Sequence, residues 1–195
     1  MKKTLFFITF LTFVFDCPAQ TEAKINPVGL LFLDPELSVE FGITKNIALE
    51  PSLGLSYGKS FLWVDDFNSK AWGYGLNSKY YFNSEKGFDK FYAGMYLRGE
   101  QRDFTSKDVN AGFSYMRNFF ALGFSLGYKL VSKQNIVFDL GLGIGKKLVY
   151  HETDPVSTST VPTVIEIQQF ESPIVDGFMR FGVGYRFGRS RKKPK

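Results

Sequence analysis

His151 is the only histidine of the 195-residue chain, and Glu152, Asp154, Ser157 and Ser159 follow it closely. An imidazole beside a serine and a carboxylate is the equipment of nucleophilic ester chemistry: the ring takes the hydroxyl proton and the carboxylate orients the ring. Adjacency in a Ser/Thr-rich stretch does not supply that geometry, so an exposed loop histidine is the simpler reading of His151, the one weak catalytic candidate. Gly141, Gly143 and Gly145 precede Lys146 and Lys147, but the spacing matches neither a P-loop nor a dinucleotide fingerprint. Strand glycines relieving a crowded face account for them better. With one histidine and one cysteine, Cys17, no metal site and no cofactor is expected.

A second set of residues capable of chemistry is charged: Glu40, Glu50, Lys79, Arg98, Glu100, Lys129, Asp139, Arg180 and Arg186. What could position them is a strand, because from about residue 37 the chain alternates with period two in seven segments. Phe120, Leu122, Phe124, Leu126, Tyr128 and Leu130 stand against Ala121, Gly123, Ser125, Gly127 and Lys129; Phe138, Leu140, Leu142 and Ile144 stand against Asp139, Gly141, Gly143 and Gly145. Phe181, Val183, Tyr185 and Phe187 oppose Arg180, Gly182, Gly184 and Arg186, and Trp72, Tyr74, Leu76 and Tyr80 oppose Gly73, Gly75, Asn77 and Lys79. The segments at 37–43, 47–57 and 91–98 repeat the pattern, and Lys24 to Leu33, with a blurred pattern, is read as an eighth strand.

The bulky face carries no charge, whereas the second face is built of Gly, Ser, Ala and Asn with occasional charges. A small-residue face suits a concave interior. An uncharged bulky face suits lipid, where a charge near mid-bilayer costs about 2–4 kcal/mol. The expected fold is therefore an all-β, eight-stranded antiparallel up-and-down transmembrane barrel spanning residues 20–188. Trp72, Leu122, Phe124, Leu126, Phe138, Leu140, Leu142, Phe181 and Val183 are expected to face lipid, and the nine charges to pair inside a narrow, filled lumen. Lys129 and Asp139 flank the turn at 132–135 symmetrically and are expected to be cross-strand neighbours. Short turns at 34–36, 44–46, 83–89 and 132–135 contrast with long polar connections at 58–70, 103–116 and 151–172. That alternation of links fits turns at one rim and loops at the other.

The ends of the chain complete the reading. Lys2 and Lys3, the apolar run Thr4 to Phe15, and Cys17-Pro18-Ala19 have the order of a secretory signal peptide cut before Gln20. A lipoprotein signal at Cys17 is the alternative, and Val14, Phe15 and Asp16 suit it poorly. Without residues 1–19 the chain holds 22 basic and 18 acidic residues, and five of the basic ones are Arg189, Arg191, Lys192, Lys193 and Lys195. The body is thus nearly neutral and residues 189–195 form a basic tail, so no nucleic-acid partner is expected.

Arg180-Phe181-Gly182-Val183-Gly184-Tyr185-Arg186-Phe187 resembles the terminal-strand signal of bacterial outer-membrane barrels, carried here by Arg180, Gly182, Tyr185 and Phe187. The signal usually ends the chain, and here eight residues follow it. In size and pattern the whole is similar to small eight-stranded barrels of the OmpX and OmpA membrane-domain type. That resemblance implies the outer membrane of a Gram-negative bacterium, both termini periplasmic, outer-membrane lipid as surroundings, and the barrel-assembly machinery as a partner during insertion. Architecture does not fix function; a lumen filled by side chains argues against a general porin, and the leading expectation is a non-enzymatic protein with a structural or surface-interaction role, an envelope or cell-surface partner being met through loops 58–70, 103–116 and 151–172. Two other readings stay open: a rim hydrolase or acyltransferase acting on envelope lipid through His151, and a secreted lipocalin-like carrier whose bulky faces would point inward.

Overall fold

A computed structural model describes residues 20–31, 33–59, 67–85, 87–106, 113–152, 156–157 and 174–187. Eight strands, β1 (Thr21–Ile25), β2 (Glu36–Gly42), β3 (Ile47–Lys59), β4 (Phe67–Tyr81), β5 (Lys90–Ser106), β6 (Phe113–Val131), β7 (Ile136–Glu152) and β8 (Val175–Phe187), form one antiparallel sheet. Each strand pairs with its neighbours in the chain. β8 pairs back to β1 through Thr21↔Phe187 to Ile25↔Val183, which closes the ring. The chain is therefore an all-β, eight-stranded up-and-down barrel, closed along the length of β1.

The alternation of the sequence is the alternation of its faces. Phe124, Leu126, Leu140, Leu142, Ile144 and Met179 lie on the outside and are at least half exposed, while Ala121, Ser125, Lys129, Val137 and Asp139 are buried in the lumen. Glycine appears inside where bulk crosses the lumen: a Cβ on Gly127 would strike the Tyr92 ring, and one on Gly143 the ring of Phe178. Close approach, rather than turn geometry, makes glycine necessary at these strand positions.

Two expectations need correction. Lys24 to Leu33 is not a strand: β1 runs from Thr21 to Ile25, and Pro27–Leu31 forms a short helix, α1. Asn26 caps it by accepting the Gly29 N–H at 3.1 Å, and Pro27 follows at the first helical position, where its missing N–H is no loss. The helix ends by the Gly29 and Leu30 carbonyls accepting from Asp34 N–H at 2.7 Å and Leu33 N–H at 3.3 Å, with Leu33 in the left-handed region at φ 57°. That is a Schellman closure, and it turns the chain back against β3, where Leu55 N–H donates to Pro35 and Tyr57 N–H to Leu33. The bulky residues that blurred the pattern, Val28, Leu30, Leu31 and Leu33, are all exposed.

The second correction concerns the long connections. The β3–β4 ladder continues to Lys59↔Asn68 and the β5–β6 ladder to Thr105↔Ser114, while β7 reaches Glu152 and Val156–Ser157 adds two pairs to the start of β6. β5, β6 and β7 are 17, 19 and 17 residues long, against the roughly 9–11 that an apolar band alone would ask for. Backbone hydrogen bonds do not require apolar side chains, and cross-strand pairs such as Phe104 stacked on Tyr115, with ring centroids 4.5 Å apart, hold the extensions together. Residues 1–19, the apolar group Phe61 to Val64, Asp154, Ser159 and the tail 189–195 lie outside the described residues.

At the rim of short turns, Phe88 folds under the barrel from the β4–β5 link. It packs with Ala48, Tyr81 and Tyr92 into a buried aromatic plug.

Candidate functional site

Above that plug the lumen holds a continuous chain of charges contributed by seven strands. Arg186 of β8 donates two bonds to Glu22 of β1, at 2.8 and 2.5 Å. Glu22 lies 2.8 Å from Lys129 of β6, which is 2.5 Å from Glu40 of β2. Glu40, Glu50 of β3 and Asp139 of β7 then surround two ammonium groups. Lys24 Nζ is 2.7, 2.6 and 2.7 Å from these three carboxylates, and Lys79 Nζ is 3.2, 2.6 and 2.7 Å from the same three. Arg180 ends the chain, 2.6 Å from Glu50 and 3.7 Å from half-buried Glu36.

Hydroxyl groups add to the same carboxylates: Tyr81 donates to Glu40 at 2.7 Å, Tyr92 to Asp139 at 2.9 Å and Ser38 to Glu50 at 2.8 Å. The ammonium of Lys79 also sits 4.3 Å from the centre of the Tyr92 ring, and that of Lys129 4.8 Å from Tyr81. Such pairing is what a desolvated charge requires, since several kcal/mol per ion are otherwise lost on leaving water. The ligand atoms of Glu40, Glu50 and Asp139 lie within 4.8 Å of one another, a spacing that could hold a metal ion. Lys24 and Lys79 supply the cations there, so the carboxylates are matched by the chain itself.

Seven of the nine charges read from the sequence, Glu40, Glu50, Lys79, Lys129, Asp139, Arg180 and Arg186, belong to this network. Lys129 and Asp139 are register partners, but their closest contacts run to other strands: Lys129 to Glu22 and Glu40, Asp139 to Lys24 and Lys79. Arg98 and Glu100 stand apart in the loop-side half, Arg98 3.8 Å from Asp176 and Glu100 2.8 Å from Arg102. Glu22, Lys24 and Asp176, all buried, are not among the nine charges read from the sequence. The alternation Glu22-Ala23-Lys24-Ile25 was the available signal for the first two.

The loop-side half is different in kind. Arg117 lies over Phe104 and Tyr150, and Lys147 over Phe119 and Tyr150, at 5.0–5.9 Å from the ring centres. In the same half a cavity of about 180 Å³ is lined by β3, β4 and β5, with Gly54, Gly73 and Gly75 in its wall, and by residues of the β1–β2 connection and of β8. His151 is exposed, opposite Asn118 in register. Alternation puts its neighbour Tyr150 on the other face, where Lys147 and Arg117 stack on it. Ser157 pairs instead with Phe113 at the far end of β6, five strand positions from Asn118.

A bulky exterior that is uncharged over most of the strands, around a ring closed on a paired-charge interior, defines the class: a small up-and-down β-barrel with a filled lumen. Within that class the chain belongs to the DUF3575 family, described as protein of unknown function, whose model matches residues 4–165. Neither a curated protein nor a solved structure matches the chain.

Proposed function

We propose that the chain is an integral outer-membrane barrel with a structural or surface-interaction role carried by its loop-side rim. The observation that carries this is the inversion of its faces. Outward positions from Phe120 to Leu130 on β6 and from Phe138 to Ile144 on β7 hold no charge, while Lys24, Glu40, Lys79, Lys129 and Asp139 are inside. Ten residue steps of about 3.3 Å, tilted by roughly 40°, rise about 25 Å, the height of the apolar band on outer-membrane barrels. Exposed Tyr80, Phe82, Phe91, Tyr128, Tyr185 and Phe187 ring the turn-side rim, as interfacial aromatics do. A soluble carrier of an apolar ligand would need the opposite facing. The likeness to OmpX and OmpA-type barrels supports the same reading, with Arg180, Gly182, Tyr185 and Phe187 of β8 serving the assembly machinery and both barrel ends at the periplasmic rim.

The test is fractionation followed by gel migration before and after boiling. The protein is expected in detergent extracts of the outer membrane, with a folded form that migrates differently from the boiled one. Recovery in aqueous extracts with no shift on boiling overturns the reading. Leu126→Arg, on the outer face, is expected to destabilise the lipid-inserted barrel by about 2–4 kcal/mol and the same barrel in water by far less. We read the chain as non-enzymatic; His151→Ala is expected to leave lipid A composition and esterase activity unchanged, and a change in either would restore the rim-enzyme reading.

A further inference from the structure

The hydrogen-bonded wall of the barrel is interrupted on one side, where α1 packs against β8 in place of a strand. β1 has five residues and pairs with β8 over Val183 to Phe187 only, so among the described residues the stretch Val175–Gly182 of β8 pairs with β7 alone. Where the other half of β1 would run, α1 and the returning Leu33–Pro35 segment stand instead. The cavity reaches this interruption: Asn26, Asp34 and Glu36 on one side of it and Phe178, Met179 and Arg180 on the other are among its lining residues, with β3, β4 and β5 forming the rest. Outside the break are some of the most exposed apolar side chains of the molecule, Leu31 at 82%, Met179 at 73% and Leu33 at 60%.

The interior of the cavity is polar and of mixed sign, with Arg98 and Arg180 as cations and Asp34, Glu36 and Glu100 as anions; Arg180 is 3.7 Å from Glu36, Arg98 3.8 Å from Asp176 and Glu100 2.8 Å from Arg102, so a ligand head would join existing pairs. The charge network seals its floor through the Arg180–Glu50 pair. Its volume exists because residues 54 and 73 are glycine, and both have room for more: a Cβ would stand 3.7 Å from the Pro35 carbonyl oxygen at Gly54 and 3.4 Å from that of Gly99 at Gly73. These two glycines differ from Gly127 and Gly143, where aromatic rings already fill the space.

We infer that this break is a lateral port through which the barrel binds an amphiphile with a compact zwitterionic head group, the head in the cavity and the chain along Leu31, Leu33 and Met179. Mixed-sign walls complement a head that carries both an ammonium and a phosphate, and a net anion leaves the carboxylates opposed. The apolar surround of the port selects a molecule with a chain over the free head. The inference rests on the membrane reading above.

Native mass spectrometry of the full barrel, extracted into a non-ionic maltoside, tests it with lysophosphatidylethanolamine, lysophosphatidylglycerol and glycerophosphoethanolamine as probes. One lysophosphatidylethanolamine is expected to be retained about tenfold more tightly than lysophosphatidylglycerol, and glycerophosphoethanolamine not at all. Gly54→Leu and Gly73→Leu are expected to abolish retention while keeping the heat-modifiable fold. Asp34→Asn, at the rim and outside the strands, is expected to bring the two lysolipids toward equal retention even where the leucine variants fail to fold. Equal retention by the unaltered protein, retention unaffected by Asp34→Asn, or tight binding of the chain-free head overturns the port. A barrel that is membrane-extracted and heat-modifiable yet shows any of these results refutes the port alone.

Discussion

Glu40→Gln is expected to lower the unfolding free energy by about 3–5 kcal/mol, the largest loss of any charge-neutralising change in the lumen. Glu40 meets Lys24, Lys79 and Lys129 at 2.7, 3.2 and 2.5 Å and accepts from Tyr81. Glutamine keeps the volume, but its amide turns donors toward donors and leaves three buried ammonium groups with fewer counter-charges. Glu100→Gln is the contrast: Glu100 is half-buried with Arg102 as its near partner, and pairs of that kind contribute about 0–1 kcal/mol. Urea titration of both variants in lipid vesicles, followed by the migration of folded and unfolded bands, gives the comparison. Adding Lys129→Met to Glu40→Gln is expected to recover part of the loss, because it removes a charge the first change has stranded. Equal midpoints for the two single variants would mean that the network does not act as a unit.

That network shows how far the sequence could be read. Which side chains turn inward follows from period two alone, so Glu40, Glu50, Lys79, Lys129, Asp139, Arg180 and Arg186 were legible one strand at a time. Which of them meet is set by the stagger of the whole ring, which brings Lys24 to Asp139 across 115 residues. The turn at 132–135 fixed the register of Lys129 and Asp139, yet it could not reveal that long side chains reach across the lumen past their own partners. β1 was lost for a local reason. Counting bulky residues from 24 to 33 outweighed Asn26-Pro27, a cap and a first-turn proline that end the strand and start a helix. The ladders beyond the apolar band went unread because hydropathy follows the surroundings of a strand and not its hydrogen bonds. The cavity was hidden for the same reason as β1, since a full-length first strand would have covered it.

Gly123→Val is expected to destabilise the barrel by about 3 kcal/mol or more, seen as loss of the folded band at temperatures the unaltered protein survives. Gly123 and Gly145 face each other in register across β6 and β7, and the ring of Tyr96 lies over both. A Cβ on Gly123 would stand 2.6 Å from the Cα of Gly145 and 2.5 Å from the Tyr96 ring; one on Gly145 would stand 2.6 Å from the Cα of Gly123. A ring at the end of a side chain can swing away, but a paired backbone can yield only by parting the two strands. Gly123→Val combined with Tyr96→Ala is therefore expected to stay unstable, whereas Gly73→Ala is expected to fall within about 1 kcal/mol of the unaltered protein. Recovery in the double variant would place the clash in the ring alone. The contrast between the two glycines separates the halves of the lumen: around Gly123 absent side chains make room for tyrosine, and around Gly73 they leave the space that the lateral port requires.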